Sequence, residues 1–302
     1  MSSDTTEHHP EVVNRRSLVA GASGTAAALH LATASAQSNA QEEQLPSNST
    51  SGKRVAIVTD TRLHMGPHLA RKFARMNYNL VIADPAEGLP DELRGLGAEV
   101  VVVPGIHQDG PNNEGKPGAM QKIVDAAMDK FGGFDSVFIR TAIHLRGTIL
   151  EETAEGMQNS YEQNCLAVFY ALQAVLPPLI DAGRGQVVVL TSGTGQKPAP
   201  QALAYCTMRA AANMMVRCAA LTAAPKGVCV NAVGTNFLNY PGFLEFSGAS
   251  DPKVMEALLK RVPVGRLGAT EECAHFTMSL LDGHNMFTTG NFFPIAGGYN
   301  NT

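Results

Sequence analysis

The sequence predicts an α/β protein built on a doubly wound parallel sheet of about seven strands. From residue 54 onward, short runs of consecutive apolar residues alternate with longer stretches of helical periodicity. Strands without polar alternation are buried on both faces, and helices supply that burial in a parallel sheet. The chain has 302 residues, of which 44% are hydrophobic. This size and composition suit one large domain of the α/β class, or two small ones.

Seven apolar runs are predicted to be strands. They lie at 54–59, 79–83, 99–103, 135–140, 186–191, 228–233 and 288–295. Helical spacing between them predicts helices at 67–76, 90–96, 118–130, 153–179, 201–224 and 270–281. The stretch 234–251 interrupts this alternation at the place where a Rossmann-like fold carries a substrate lid.

The first 53 residues are predicted to lie outside the folded domain. An arginine pair at 15–16 precedes an Ala/Gly-rich apolar stretch that ends in a small-x-small triplet at 34–36. This order is typical of a twin-arginine export signal, here residues 1–36, and indicates a periplasmic protein. The alternative is a low-complexity tail on a cytoplasmic protein. Residues 37–53 are predicted to be a disordered linker before a domain at 54–302.

Composition argues against several classes of partner. The net charge is -4 without a long basic block, so nucleic acid is not an expected partner. No apolar run reaches eighteen residues, so no membrane span is expected. Five cysteines without a CxxC spacing argue against a zinc site. His64 and His68 share a helical face but lack an evident third ligand, so no metal is expected.

Three residues have the spacing of a proton-transfer site. Ser192 ends a predicted strand, and Tyr205 and Arg209 lie one turn apart on the helix that follows. A guanidinium beside a phenol favours the tyrosinate, which makes Tyr205 a general base for a hydroxyl group. Ser192 is placed to hydrogen-bond the same substrate oxygen. We interpret these three residues as catalytic; a surface tyrosine beside a solvated arginine is the alternative.

The loop after the first strand departs from the glycine pattern that binds a dinucleotide. Short-chain dehydrogenases have T-G-x-x-x-G-x-G there, and this chain keeps only the threonine and Gly66. Asp60 is expected to repel a diphosphate, and the ring of His64 is expected to block its approach. The Asn-Asn-Ala-Gly segment after the fourth strand is replaced by Ile-Arg-Thr-Ala at 139–142. These changes predict that no nicotinamide cofactor is bound, although Asp84 stands where an acid would hold a ribose.

Taken together, the motifs resemble those of the halohydrin dehalogenases, cofactor-independent relatives of the short-chain dehydrogenases. The resemblance spans the predicted domain and rests on Ser192, Tyr205 and an arginine at 209 in place of lysine. It also rests on a large residue in the glycine loop and on the Thr-Asn-Phe-Leu-Asn run at 235–239. The resemblance implies that Tyr205 deprotonates a vicinal haloalcohol, which closes to an epoxide and releases halide.

The same resemblance implies how substrate and halide are bound. Backbone N–H groups of Phe237 and Leu238 would donate to the halide. It further implies a homotetramer and partners limited to haloalcohols, epoxides and small anions. The residues expected to line the site are His64, Thr235, Asn236, Phe237, Leu238, Tyr240, Phe243 and Leu244.

Two other functions are compatible with the sequence. One is an NAD(P)-dependent short-chain dehydrogenase or reductase with a divergent glycine loop. Asn164 favours it, because it stands where such enzymes keep a catalytic asparagine, although a structural asparagine fits the helix equally well. The other is a catalytically silent protein that binds a ligand on the same fold.

Overall fold

The computed structural model describes residues 45–106, 118–140 and 147–302, and seven parallel strands form the sheet within them. The strands are β1 (Val55–Val58), β2 (Asn79–Ala83), β3 (Val100–Val103), β4 (Ser136–Arg140), β5 (Gly185–Ser192), β6 (Val228–Thr235) and β7 (Phe292–Ile295). Their order across the sheet is β3-β2-β1-β4-β5-β6-β7. Every neighbouring pair is parallel. The prediction of a doubly wound, Rossmann-like sheet is confirmed, and β7 is shorter than expected.

Helices cover both faces of this sheet. In the described ranges they are α1 (Gly66–Arg75), α2 (Leu89–Gly95), α3 (Ala119–Phe131), α4 (Ala154–Tyr161), α5 (Ala167–Asp181), α6 (Leu203–Ala223), α7 (Pro241–Ser247), α8 (Pro252–Leu259) and α9 (Thr270–Met278). Two features differ from the prediction. A π-helical turn, Glu162–Leu166, divides the expected helix at 153–179. Helix α8 was not predicted, although Asp251 caps it through Lys253 N at 2.7 Å and a proline begins it.

The strands are buried because their side chains alternate between two apolar layers. Val55 and Ile57 of β1 belong to the layer that packs on α3, α5 and α6, whereas Ala56 and Val58 belong to the layer on α1 and α9. The run Ala154–Asp181 is long and apolar enough to cross a membrane, by length and composition only. Part of this run, 44% of its most apolar window, is buried inside the domain, where Val168, Ala171 and Val175 belong to one of the two apolar layers.

Residues 45–53 differ from the disordered linker predicted for 37–53. They form no helix or strand, but they are fixed to the domain by side-chain and backbone hydrogen bonds. Asn48 N donates to Asp135 Oδ1 at 2.9 Å, and Asn48 Nδ2 donates to Phe134 O at 2.8 Å. Thr50 N donates to Phe131 O at 2.9 Å. The compact unit begins at Leu45, and the predicted export signal at 1–36 lies outside the described residues.

The strand order places a crevice at one edge of the sheet. After β1 the chain builds β2 and β3 on one side, and it then crosses to build β4 to β7 on the other. The carboxyl ends of β1 and β4 therefore flank the point where the strand order reverses, which is where open α/β sheets form their ligand-binding crevice. The described loops that follow β1, β5 and β6 open on this edge.

Gly66 keeps the first helix close to the first strand. A Cβ atom at this position would lie 1.7 Å from the carbonyl oxygen of Asp60. Side-chain rotation cannot relieve this contact, because the oxygen belongs to the backbone and the backbone also fixes the position of a Cβ atom. The requirement for glycine here is therefore steric, and it explains why this glycine persists when the other two of the loop do not.

Replacing Gly66 with alanine is expected to lower the free energy of unfolding by about 3 kcal/mol, the upper end of typical overpacking costs. Gly95→Ala is the matched control, since no atom lies within 4 Å of a Cβ built there. That substitution is expected to change stability by less than about 1 kcal/mol. Urea unfolding of both variants measures the difference, and similar losses in the two would contradict the steric argument.

Candidate active site

A cavity of about 660 Å³ opens at the carboxyl ends of β5 and β6. Its walls come from the loop after β1, the loop after β5, the start of α6, and the two lid helices α7 and α8. Its volume lies in the range of small-molecule sites. Ser192 and Tyr205 both line it, so the structure brings together the two residues predicted to contact substrate.

Ser192 is the last residue of β5 and caps the short 3-10 turn that follows. Its Oγ accepts from Thr194 N at 3.2 Å and from Thr194 Oγ1 at 3.0 Å. It donates to Thr235 O across a distance of 3.4 Å, which is long for a hydrogen bond between oxygens. The hydroxyl hydrogen can therefore turn to a better acceptor in the cavity, such as a substrate oxygen.

Tyr205 and Arg209 lie one turn apart on α6, as predicted. Tyr205 is 9% exposed and Arg209 is 1% exposed. The guanidinium carbon of Arg209 lies 5.1 Å from the centre of the Tyr205 ring, and Nη1 donates to Leu190 O at 3.2 Å. The fixed cation thus lies beneath the phenol ring. Gly195 permits this arrangement, because a Cβ there would approach Arg209 O to 2.9 Å.

The glycine loop carries an ion pair that the sequence analysis did not foresee. The Asp60 carboxylate, which is fully buried, accepts from Nη1 of Arg140 at the end of β4. Asp60 Oδ1 also accepts from Arg62 N at 2.9 Å and contacts Arg62 Nε at 3.4 Å. One carboxylate thus faces two guanidiniums. The expectation that Asp60 repels a diphosphate is therefore wrong, since this cluster has a net charge of +1.

His64 occupies the second glycine position of the loop and keeps the backbone of a glycine. Its φ is 61°, in the left-handed region. The ring lies edge-on to Tyr240, with centroids 5.0 Å apart, and Nε2 is 3.4 Å from Thr235 Oγ1. Burial, followed by the charge of Arg140, lowers the pKa of His64 to about 3. The imidazole is neutral at neutral pH, and its buried Nδ1 has no hydrogen-bond partner within the described residues.

Most of the predicted lining residues do face the cavity. Those that line it are His64, Thr235, Asn236, Phe237, Leu238, Tyr240 and Phe243. Leu244 does not line it and instead packs with the small apolar cluster under the lid. The N–H of Phe237 already donates to Asn236 Oδ1 at 2.9 Å, so it is not a donor awaiting an anion.

Two arginines of the cavity wall were missed. Arg140 had been noted only as a departure from the Asn-Asn-Ala-Gly segment, although opposite charges at the ends of neighbouring strands β1 and β4 were a usable signal. Arg261 follows the lid helix α8, and no sequence motif marks it.

Asn164 lies in the π-turn that precedes α5. It is fully buried, and its Nδ2 donates to Ser160 O at 3.1 Å. The π-turn packs on α6, the helix that carries Tyr205. π-Turns inside helices are frequent at functional sites, so the position of Asn164 agrees with a functional role as well as with a structural one.

Fold and site together define a Rossmann-like protein with a Ser/Tyr/Arg site at the switch point of its sheet. A family model described as "Enoyl-(Acyl carrier protein) reductase" matches residues 64–300, which is most of the chain. The protein therefore belongs to the short-chain dehydrogenase/reductase family.

Curated relatives of the chain are dehydrogenases. The 2,5-dichloro-2,5-cyclohexadiene-1,4-diol dehydrogenase of Sphingobium indicum is 27% identical over 256 residues, which cover 83% of this chain and 98% of the relative. Cyclohexanol dehydrogenase of an Acinetobacter species is 27% identical over 262 residues, or 85% and 98% of the two chains. The 4-formylbenzenesulfonate dehydrogenase of Comamonas testosteroni is 29% identical over 251 residues, or 82% and 98%.

Solved structures show the same fold. YwfH, an NADPH-dependent reductase involved in bacilysin biosynthesis, aligns with a TM-score of 0.74 at 20% identity, over 82% of this chain and 98% of that one. An actinorhodin polyketide ketoreductase with NADPH aligns with a TM-score of 0.74 at 21% identity, over 83% and 98%.

The prediction of a halohydrin dehalogenase, a carbon–halogen lyase, is wrong. The curated relatives named above are dehydrogenases, in line with the oxidoreductase alternative. The structure gives a physical reason as well, because the expected halide donor at Phe237 is engaged by its neighbour. An arginine in place of lysine at 209 does not by itself indicate a dehalogenase, since this chain carries it and resembles dehydrogenases.

The loop residues fit a nicotinamide dinucleotide by charge and by backbone conformation. Two guanidiniums, of Arg62 and Arg140, would attract its diphosphate, and the left-handed turn at His64 is retained. His64 lines the same cavity, and its buried Nδ1 has no partner among the described residues. The departure lies in volume, since Asp60 and His64 carry side chains where the family pattern has none.

The low pKa of His64 makes stability depend on pH. The unfolded chain binds a proton at the ordinary pKa of about 6.5, whereas the folded chain does so only at about 3. Stability is therefore lost as the pH falls through this window, by up to about 1.4 kcal/mol per unit. Asn tolerates the left-handed conformation, so His64→Asn is expected to fold and to lack this loss. The free energy of unfolding of the variant, minus that of wild type, is expected to be about 2–3 kcal/mol higher near pH 4.5 than near pH 7.

Urea unfolding at both pH values measures this difference. The exposed His284→Asn is the control and is expected to follow the wild-type profile. Parallel profiles for wild type and His64→Asn would refute the assignment of a buried neutral imidazole.

Proposed function

We propose that this protein is an NAD(P)-dependent short-chain oxidoreductase that interconverts an alcohol and a carbonyl compound. The observation that carries the proposal is the shared cavity of Ser192 and Tyr205, with the cation of Arg209 fixed beneath the phenol ring. The dehydrogenase relatives support the same class of reaction. The predicted export signal and homotetramer are separate expectations that stay predictions.

The chain's own residues handle the proton. In alcohol oxidation, Tyr205 accepts the hydroxyl proton, and in carbonyl reduction it returns that proton. Ser192 donates a hydrogen bond to the substrate oxygen, which lies between the two side chains. Arg209 holds a fixed positive charge beneath the ring of Tyr205. A bound nicotinamide supplies the hydride acceptor or donor, and Arg62 and Arg140 would hold its phosphates.

The cavity favours a substrate with a ring or another compact apolar body. Tyr240, Phe243 and Phe246 of the lid line it opposite the catalytic pair. Aromatic walls supply contact area without demanding hydrogen bonds. The relatives named above act on cyclohexane, cyclohexadiene and benzene derivatives, which agrees with a ring-bearing alcohol or carbonyl as substrate.

A second candidate is a protein that binds a ligand on this fold without turning it over. The observation that favours it is the filled glycine loop, where the Asp60–Arg140 pair and the His64 ring take the place of two glycines and an asparagine. In that case a cavity ligand would bind in the absence of dinucleotide.

Tyr205→Phe is expected to lower the rate of NAD(P)H-dependent reduction of cyclohexanone by a factor of roughly 10²–10⁴, because the proton donor is removed. Tyr161→Phe is the control; this tyrosine is 37% exposed and lies outside the cavity. The initial rates of dinucleotide oxidation measure the effect. Undiminished turnover by Tyr205→Phe would remove Tyr205 from the mechanism.

Direct binding of NADH and NADPH tests the cofactor separately from turnover. Calorimetry is expected to show binding of at least one of them, and Arg62→Gln is expected to weaken it about tenfold or more through loss of a charge-assisted contact. Arg71→Gln is the control, since Arg71 pairs with Glu92 on the surface and does not line the cavity. If neither dinucleotide binds, the oxidoreductase proposal fails and the ligand-binding candidate stands.

A further inference from the structure

Arg261 lines the cavity, and its exposed side chain lies against two adjacent aromatic rings. Its guanidinium carbon lies 5.5 Å from the centre of the Phe237 ring and 5.4 Å from that of Tyr299. Both rings are only 4% exposed, so they form fixed walls. One guanidinium nitrogen, Nη2, also donates to the Tyr299 hydroxyl at 3.1 Å. An arginine positioned in this way loses little conformational freedom when it binds another group.

The charge of Arg261 is not balanced by an acid in the part of the chain that the structure describes. Its neighbours differ in this respect. Lys260 pairs with Glu256 at 2.8 Å, and Arg266 pairs with Glu272 at 2.7 Å. Arg261 instead lies against aromatic rings, and its guanidinium has N–H groups that can donate hydrogen bonds to an anion.

The cavity as a whole carries an excess of positive charge. Arg140 and Arg261 are its two arginines, His64 is neutral, and no acidic side chain is among its described lining residues. Arg140 is paired with Asp60, whereas Arg261 is the lining arginine without an acidic partner among the described residues. Arg261 therefore has a charge that a ligand can balance.

We propose that the substrate carries a carboxylate, which pairs with Arg261 while its hydroxyl or carbonyl group lies at Ser192 and Tyr205. A carboxylate can accept two parallel hydrogen bonds from a guanidinium, and these bonds replace part of the water that the carboxylate loses on binding. The apolar body between the two polar ends packs against Tyr240 and Phe243. The substrate class is thus a hydroxy acid or oxo acid with a ring or compact apolar spacer. The reacting end of this assignment rests on the proposed function, whereas the carboxylate end does not.

Two ketones that differ in one carboxylate test the assignment by binding alone. Calorimetry on the full chain, without dinucleotide, compares 4-acetylbenzoate with acetophenone. The wild type is expected to bind 4-acetylbenzoate at least about tenfold more tightly, in keeping with a charge-assisted pair. Arg261→Gln is expected to bring the two affinities within about twofold of each other while leaving that for acetophenone unchanged. Arg261→Lys is expected to retain part of the preference, since it keeps the charge without the planar pair of donors.

Lys260→Gln is the matched control. It removes one positive charge at the residue before Arg261, and the side chain of Lys260 does not line the cavity. It is expected to keep the full preference. Equal affinities in wild type, no binding of 4-acetylbenzoate, or a preference that survives in Arg261→Gln would each overturn the assignment. If the preference depends on Arg261 but no NAD(P)-linked turnover of 4-acetylbenzoate is found, the carboxylate site stands and the oxidoreductase proposal is the part that fails.

Discussion

The burial of both faces of a parallel sheet is the constraint on which the rest of this structure depends. Once α3, α5 and α6 cover one face and α1 and α9 cover the other, polar chemistry is confined to the carboxyl edge of the strands. Ser192 and Thr235 end two neighbouring strands and are paired in register there. The site is thus a product of topology, and the lid helices only enclose it.

The Asp60–Arg140 pair shows that the affinity of this loop for anions depends on residues that are distant in the chain. An isolated carboxylate beside a phosphate site is repulsive, but a buried carboxylate that faces two guanidiniums makes the same loop attractive to anions. The two residues also join the ends of β1 and β4, the neighbouring strands at which the order of strands along the chain reverses. The pair therefore holds the crevice together at the point where the family's cofactors bind.

Much of the fold was accessible from the sequence, because continuous apolar strands are a strong signal. The π-turn at Glu162–Leu166 was not, since one extra residue shifts the apolar pattern by a single position, which is hard to tell from the ordinary scatter of helical spacing. In the site, Ser192, Tyr205 and Arg209 follow from spacing on one strand and one helix. Asp60 was misjudged and Arg261 was missed for a common reason: their partners are distant in the chain, and only tertiary packing brings them together.

The segment at 45–53 shows a further dependence of the domain on residues before the first strand. The Asp135 carboxylate is fully buried at the start of β4, and it accepts from Ser47 Oγ at 3.2 Å, Asn48 N at 2.9 Å and Val55 N at 2.9 Å. Two of its three donors thus precede Lys53. A protease that trimmed the chain to the first strand would leave a buried negative charge short of donors, and the opposite end of the sheet from the cavity would loosen first.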